Sequence, residues 1–103
     1  PPALLEEIEA TTMEFEEQIA AIEIFKEKAE NMRAEQFKEE YANHILVFKT
    51  LEESANGHFN EFFSILDQLT TRQRDEIASA LSKLDNASRR AGVLLEEMVK
   101  AAK

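Results

Sequence analysis

The sequence predicts an all-α protein, an antiparallel bundle of three long helices. Apolar residues recur every three or four positions along most of the chain, the spacing that places side chains on one face of a helix. The chain has only two Gly and two Pro, and so lacks the turn residues that many short β-hairpins need. Hydrophobic residues make up 44% and charged residues 32% of the chain, a balance that suits one folded domain over residues 1–103 rather than disorder.

The first helix is predicted from Ala3 to about Met32, with Glu residues on the faces outside its apolar stripe. A turn near residues 31–33 is expected, because the apolar series that follows is displaced by one position from where the first helix would place it. This junction has no Gly or Pro, so a single bent helix is the alternative. The predicted stripe consists of Leu5, Ile8, Thr12, Phe15, Ile19, Ile22 and Ala29.

The second helix is predicted to start at Ala34 and to kink or break at Asn56-Gly57, a pair that suits a left-handed C-terminal cap. The apolar stripe resumes directly after this pair. The prediction is therefore a kinked helix, or a break followed by a short helix that ends near Leu69 and brings the count to four. The stripe consists of Phe37, Tyr41, His44, Phe48, Leu51, Ala55, His58, Phe62, Ile65 and Leu69.

The third helix is predicted from about Thr71 to the C-terminus, and a capping box marks its start. In a capping box the hydroxyl, here of Thr70, accepts a hydrogen bond from a backbone N–H of the new helix, while the amide of Gln73 reaches back to the N–H of the cap residue. Leu69 is expected to pack against the new helix. The predicted stripe consists of Ile77, Leu81, Leu84, Ser88, Ala91, Leu95, Met98 and Ala102. Beside it, Ala87, Ala91 and Gly92 form a small-residue face that would allow close approach by another helix. Neutral drift is the alternative explanation for Gly92.

The net charge of −9 limits the classes of partner. It repels phosphates and anionic head groups, so we expect no nucleic-acid partner. No apolar run approaches the roughly 20 residues that span a bilayer, so we expect no membrane insertion. The third helix is net positive, and its basic residues are expected to flank the acidic edge of the first helix. These residues are Arg72, Arg74, Lys83, Arg89 and Arg90.

The sequence offers little chemistry for a reaction, so we expect no catalytic activity and no cofactor. It has no Cys, no Gly-rich phosphate loop and no Ser/His/Asp elbow. His44 with Glu40, and His58 with Glu61, are candidate metal-binding pairs because each pair lies one helical turn apart. The alternatives are structural histidines that hydrogen-bond a neighbour and a pH-responsive role. The absence of Cys leaves the compartment open. From the Pro-Pro start without Met or signal peptide we expect a processed or trimmed chain.

Apolar residues on a second face of the second helix are candidate interaction residues: Leu46, Phe59, Phe63 and Leu66. A three-helix core covers one broad face of each helix, and an exposed apolar patch usually marks a partner. A wider core that covers them is the alternative. We therefore expect a non-enzymatic interaction module that acts through helix faces, on a protein partner or on a second copy of itself in a homodimer. A further alternative is an acidic inhibitor that mimics nucleic acid through the Glu-rich face of the first helix.

Residues 69–73, Leu-Thr-Thr-Arg-Gln, match the LTxxQ motif, through which the chain resembles the Spy/CpxP family of periplasmic stress proteins. The resemblance implies a small all-helical dimer in the periplasm that holds unfolded clients, contacts a sensor kinase or senses metal. Without it, we expect a cytoplasmic protein. The family normally carries two such motifs. The second candidate, residues 32–36, has an apolar first residue, Met32, and ends in Gln36, but it lacks the capping Thr. No metal ligand carries over from the family.

Overall fold

A computed structural model describes residues 2–101 and confirms the all-α fold with three long helices. Helix α1 spans Pro2–Ala29, α2 spans Ala34–Ile65 and α3 spans Thr71–Ala101. A single turn of 3₁₀-helix, Leu66–Gln68, follows α2. The described residues contain no strand. None of the described helices is both long and apolar enough to cross a membrane.

The helices alternate in direction along a narrow rod. Phe25 near the end of α1 stacks on Phe37 near the start of α2, with ring centroids 5.2 Å apart. Thr11 near the start of α1 hydrogen-bonds His58 near the end of α2, so α1 and α2 are antiparallel. Helix α3 returns alongside both. Among the three long helices, its interface with α1 is the most extensive and its interface with α2 is the smallest. The rod measures 53 × 19 × 17 Å.

Two hydrophobic clusters form the core. The smaller cluster lies where α1 ends and α2 begins, and Phe48 and Leu94 pack against both clusters. In α3, every described position of the predicted stripe is buried except Ser88, which is half-buried; the predicted position Ala102 lies outside the described residues. The smaller cluster contains Ile22, Phe25, Leu95 and Met98. The larger contains Leu4, Ile8, Phe15, Ile19, Leu51, Ala55, Phe62, Ile77, Ala80, Leu81, Leu84, Ala87 and Ala91.

The buried face of α1 differs from its predicted stripe. Leu4 and Thr11 are buried, whereas the pattern predicts Leu5 and Thr12, which are only half-buried. Phe25 is a further core residue that the pattern omits. The cause is that α1 packs against both other helices, so its buried arc is wider than a single stripe.

A turn separates α1 from α2, so the alternative of a single bent helix is wrong. The backbone N–H groups of Asn31 and Met32 donate to carbonyls three residues earlier, both at 3.2 Å. Arg33 then adopts an extended conformation, with φ −70° and ψ 150°, and its side chain makes no capping hydrogen bond. The corner at residues 32–36 therefore lacks the capping box that an LTxxQ motif supplies.

The alternative of a break at Asn56-Gly57 is wrong, and so is the count of four helices that it would give; the second helix is one continuous helix, as in the prediction of three long helices. Helix α2 continues through this pair, and Gly57 does not have a positive φ. Ala55 and Phe62 are buried on either side of the pair. Burying a side chain such as that of Phe62 contributes about 1.5–3 kcal/mol, more than the roughly 1 kcal/mol that glycine costs inside a helix.

We expect Gly57→Ala to raise the free energy of unfolding by about 0.5–1 kcal/mol, because alanine is the better helix former. A Cβ added at Gly57 would have no neighbour within 4 Å beyond the helix's own nearby backbone. Urea unfolding followed by circular dichroism measures the change. A loss of stability would mean that position 57 needs a left-handed conformation.

The corner before α3 contains both hydrogen bonds of the predicted capping box. The backbone N–H of Gln73 donates to Thr70 Oγ1 at 3.1 Å, and the backbone N–H of Thr70 donates to Gln73 Oε1 at 2.9 Å. Leu69 is partly buried and packs against the larger core cluster. The cap therefore satisfies a backbone donor of the first turn while Leu69 anchors the chain that enters the helix.

Thr70→Ala should lower the free energy of unfolding by about 1 kcal/mol, because it leaves a backbone N–H of the first turn of α3 without its acceptor. Thr71→Ala is the matched control, since it removes the same hydroxyl one residue later, outside the capping position. Chemical denaturation of both variants provides the comparison. Equal losses for the two variants would contradict the role of the cap.

The predicted pairing of α3 bases with α1 acids is not formed among the described residues. The ion pair between these helices has the opposite arrangement: Lys26 Nζ of α1 lies 3.9 Å from Glu97 Oε1 of α3. Arg89 instead pairs with Asp85 one turn earlier at 2.9 Å, and Arg72 likewise pairs within α3. Exposed pairs of this kind contribute only about 0–1 kcal/mol each, so apolar packing holds the bundle.

Candidate interaction surface

The small interface between α2 and α3 leaves a groove of about 680 Å³ between the two helices. We call it the α2–α3 groove. Aromatic and aliphatic side chains line much of it, among them Phe48 and Phe59 of α2 and Leu84 and Leu95 of α3. The polar residues that line it are Glu52 and Asn56 on α2 and Asp85, Ser88, Arg89 and Glu96 on α3, together with the hydroxyl-bearing Tyr41.

Small residues form part of the α3 side of this groove. Ser88 and Gly92 lie on the side of α3 that lines the groove. A Cβ added to Gly92 would lie 3.4 Å from Cζ of Phe48, so the aromatic ring packs against the α3 backbone at this position. The close approach expected at Gly92 is therefore made by Phe48.

Carboxylates outnumber basic groups around the groove. The single guanidinium that lines it, that of Arg89, donates from Nε to Asp85 Oδ2 at 2.9 Å. Glu52 and Glu96 are exposed and form no ion pair with any described residue. Burial, together with the nearby charge of Glu96, raises the pKa of Tyr41, whose hydroxyl donates to the carbonyl of Leu95 at 3.2 Å. The groove thus combines apolar surface with a negative rim.

The four predicted interaction residues do not form one patch. Leu46 and Phe63 are exposed, at 67% and 65%. Phe59 and Leu66 are half-buried and pack against the larger core cluster, as the alternative of a wider core predicts for them. Phe63 lies in a depression that adjoins the α2–α3 groove and shares Phe59 and Asp85 with it, whereas Leu46 lies outside both.

Both histidines are held by polar side chains of α1. Thr11 Oγ1 donates to the Glu7 carbonyl at 3.0 Å and lies 2.9 Å from Nε2 of His58. Because a hydroxyl has one proton to donate, His58 Nε2 is the donor in the second bond. His44 Nδ1 lies 3.3 Å from Oε1 of Gln18. The hydrogen-bond partners are thus α1 side chains, and not the carboxylates one turn away on α2.

The four candidate metal ligands are not assembled into a site. In residues 2–101, no group of three His, Cys, Asp or Glu side chains could hold a metal ion. Glu61 is exposed beside His58, and Glu40 lies one turn before His44 with Oε2 buried and without a hydrogen-bond partner among the described residues. Burial lowers the pKa of His44, while the negative charge of Glu40 acts in the opposite direction.

The lowered pKa of His44 predicts a pH dependence of stability. Since the unfolded chain binds the proton more tightly, stability should be full above the ordinary pKa of 6.5 and should fall as the pH drops through 6.5 toward the folded pKa. His44→Gln should flatten this part of the curve, measured by urea unfolding from about pH 7.5 to about pH 5.5. Asn43→Ala, an exposed change at the neighbouring position, is the control. Parallel curves for wild type and His44→Gln would contradict the prediction.

Comparison of the chain with protein-family models, curated proteins and solved structures finds no significant match. The α2–α3 groove is the feature that sequence reasoning missed. The sequence features that could have indicated the groove are Ser88 and Gly92, two small residues on the third helix, together with the many aromatic residues of the second helix.

Proposed function

We propose that the protein is a non-enzymatic interaction module that acts through helix faces and self-associates through α2. The observation that supports this proposal is the exposure of three large apolar side chains on that helix, Leu46, Val47 and Phe63. Burial of apolar area in a dimer would contribute about 25 cal/mol per Å². Contiguous exposed apolar surface is a feature of binding sites; Leu46 and Val47 are adjacent on α2, and Phe63 lies separately, in the depression beside the α2–α3 groove.

Light scattering on Leu46→Glu and Phe63→Glu tests the proposal. Each variant should lower the mass from dimer to monomer, because association would force the new carboxylate out of water, and circular dichroism should show unchanged helix content. Ile24→Glu is the matched control, since Ile24 is exposed at 54% but lies on α1. An unchanged mass in both α2 variants, or an equal fall in the control, would reject self-association through α2.

Salt gives a second test of the same proposal. Each copy carries a net charge of −9, so like-charge repulsion opposes self-association, and screening by salt should strengthen the dimer. Light scattering at low and high ionic strength measures this. Dissociation by salt would mean that ion pairs, and not the apolar side chains of α2, hold the copies together.

A stress-protein role of the Spy/CpxP kind is the second candidate. It is supported by the capping box of Thr70 and Gln73, which lies at the helix corner formed by the LTxxQ motif, residues 69–73. This role predicts suppression of client aggregation or a rise in stability with a divalent metal. Inactivity in both assays would count against it.

A further inference from the structure

We propose that the α2–α3 groove binds a basic amphipathic helix of a partner protein. This inference rests on the proposed role as an interaction module and names the class of partner. Three properties of the groove carry it: its extent along α2, the small side chains on its α3 wall and the charge of its rim.

The extent of the groove suits a helix. The groove starts at Tyr41, and the adjoining depression, which shares Phe59 and Asp85 with it, reaches Phe63. This stretch of α2 is about 33 Å long at about 1.5 Å per residue, the length of a helix of roughly 20 residues. Binding of an amphipathic helix in an apolar groove is a recurrent mode of recognition.

The shape of the α3 wall leaves room for large side chains. Ser88 lines the groove, and Ala78 and Ser82 line the adjoining depression, whereas the ring of Phe48 occupies the space beside Gly92. At the outer edge, Val93 is exposed at 54%. A partner helix with large apolar side chains would therefore cover surface that the three helices of this chain leave in water.

The charge of the rim selects a basic partner. Arg89 is neutralised by Asp85, so Glu52 and Glu96 leave the rim negative. Lys or Arg residues beside the apolar stripe of a partner helix would pair with these two carboxylates. A second copy is the less favourable occupant, because it would bring the same acidic rim and a net charge of −9.

The test uses the full chain and two synthetic peptides of about 20 residues, the length that matches the groove. Both are fluorescently labelled helices with a Leu stripe, flanked in one by Lys and in the other by Glu. Fluorescence anisotropy should show binding of the Lys peptide that weakens with salt, and no binding of the Glu peptide. No binding of the Lys peptide, or equal binding of both peptides, would overturn the inference.

Paired variants locate the bound peptide. Glu52→Gln combined with Glu96→Gln should weaken binding of the Lys peptide by about tenfold, the effect of losing two partly exposed charge pairs. Glu17→Gln combined with Glu23→Gln makes the same change in net charge on the exposed surface of α1 and should leave the affinity unchanged. An equal loss in both double variants would show non-specific attraction to an acidic protein and would overturn the inference.

Two further measurements separate this inference from self-association. Leu46 lies outside the groove. The Leu46→Glu variant should therefore bind the Lys peptide with the wild-type affinity, whether the variant is a monomer or a dimer. If the Glu52→Gln, Glu96→Gln variant changes the mass of the chain alone, the groove holds a second copy and the inference is overturned. A monomeric wild type that binds the Lys peptide would instead reject self-association and support the groove as a site for a partner helix.

Discussion

Phe15→Ala is expected to lower the free energy of unfolding by about 3–5 kcal/mol, the usual cost of removing a buried aromatic ring. Phe15 is fully buried in the larger core cluster, at 0% exposure. Its ring makes an edge-to-face contact with Phe48, with centroids 6.0 Å apart. The variant therefore loses both the burial of the ring and the contact that joins α1 to α2. Urea unfolding followed by circular dichroism measures the loss.

Met13→Ala is the matched control for this change. Met13 lies two residues earlier on α1 but is exposed at 62%, so the variant should change stability by no more than about 0.5 kcal/mol. Similar losses in the two variants would mean that α1 does not present Phe15 to the core.

Phe25→Ala is expected to cost a similar amount, about 3–5 kcal/mol, in the smaller cluster. Phe25 is buried in the smaller cluster, and its ring lies against the rings of Phe37 and His44, with centroids 5.2 and 5.1 Å away. The variant should also raise the pKa of His44 toward its ordinary value of 6.5, because burial is the main cause of the lowered pKa.

Two readouts on the same protein test this second prediction. Chemical denaturation gives the loss of stability, and an NMR titration of the His44 ring gives the change in its pKa. Ile24→Ala, at an exposed neighbouring position, is the control and should move neither quantity. A destabilised variant with an unchanged pKa of His44 would show that Phe25 is not what shields the imidazole.

Local signals predicted the third helix well. The start of α3 depends on Thr70 and Gln73, which lie three positions apart in sequence and bond each other directly. A capping box requires only that spacing and a helix that follows it. Most of the α3 stripe was likewise predictable, because one periodic face points at the core throughout the helix.

Signals that compete with tertiary packing were less reliable. Asn56-Gly57 favours a helix end locally, yet Ala55 and Phe62 are buried around it and α2 continues. The burial of Phe25 was also missed. The predicted stripe of α1 covers a single interface, whereas α1 packs against two other helices and buries a wider arc of its surface. Tertiary contacts override propensity at such positions.

The candidate site was the least predictable part. Exposure of Leu46 and Phe63 followed from their places off the main stripe, as the sequence indicated. The α2–α3 groove depends on how closely two helices approach, and no spacing within one helix encodes that distance. The polar partners of the histidines, Gln18 and Thr11, likewise lie 26 and 47 residues away in sequence.

The elongated shape of the rod affects how its assembly must be measured. A molecule of 53 × 19 × 17 Å has a radius of gyration of 16.3 Å, against about 13 Å for a compact domain of 100 residues. Its Stokes radius is correspondingly larger than that of a sphere of equal mass. A monomer would therefore elute early from a gel-filtration column calibrated with globular standards and could be mistaken for a dimer. Sedimentation equilibrium, which does not depend on shape, would give its molar mass directly.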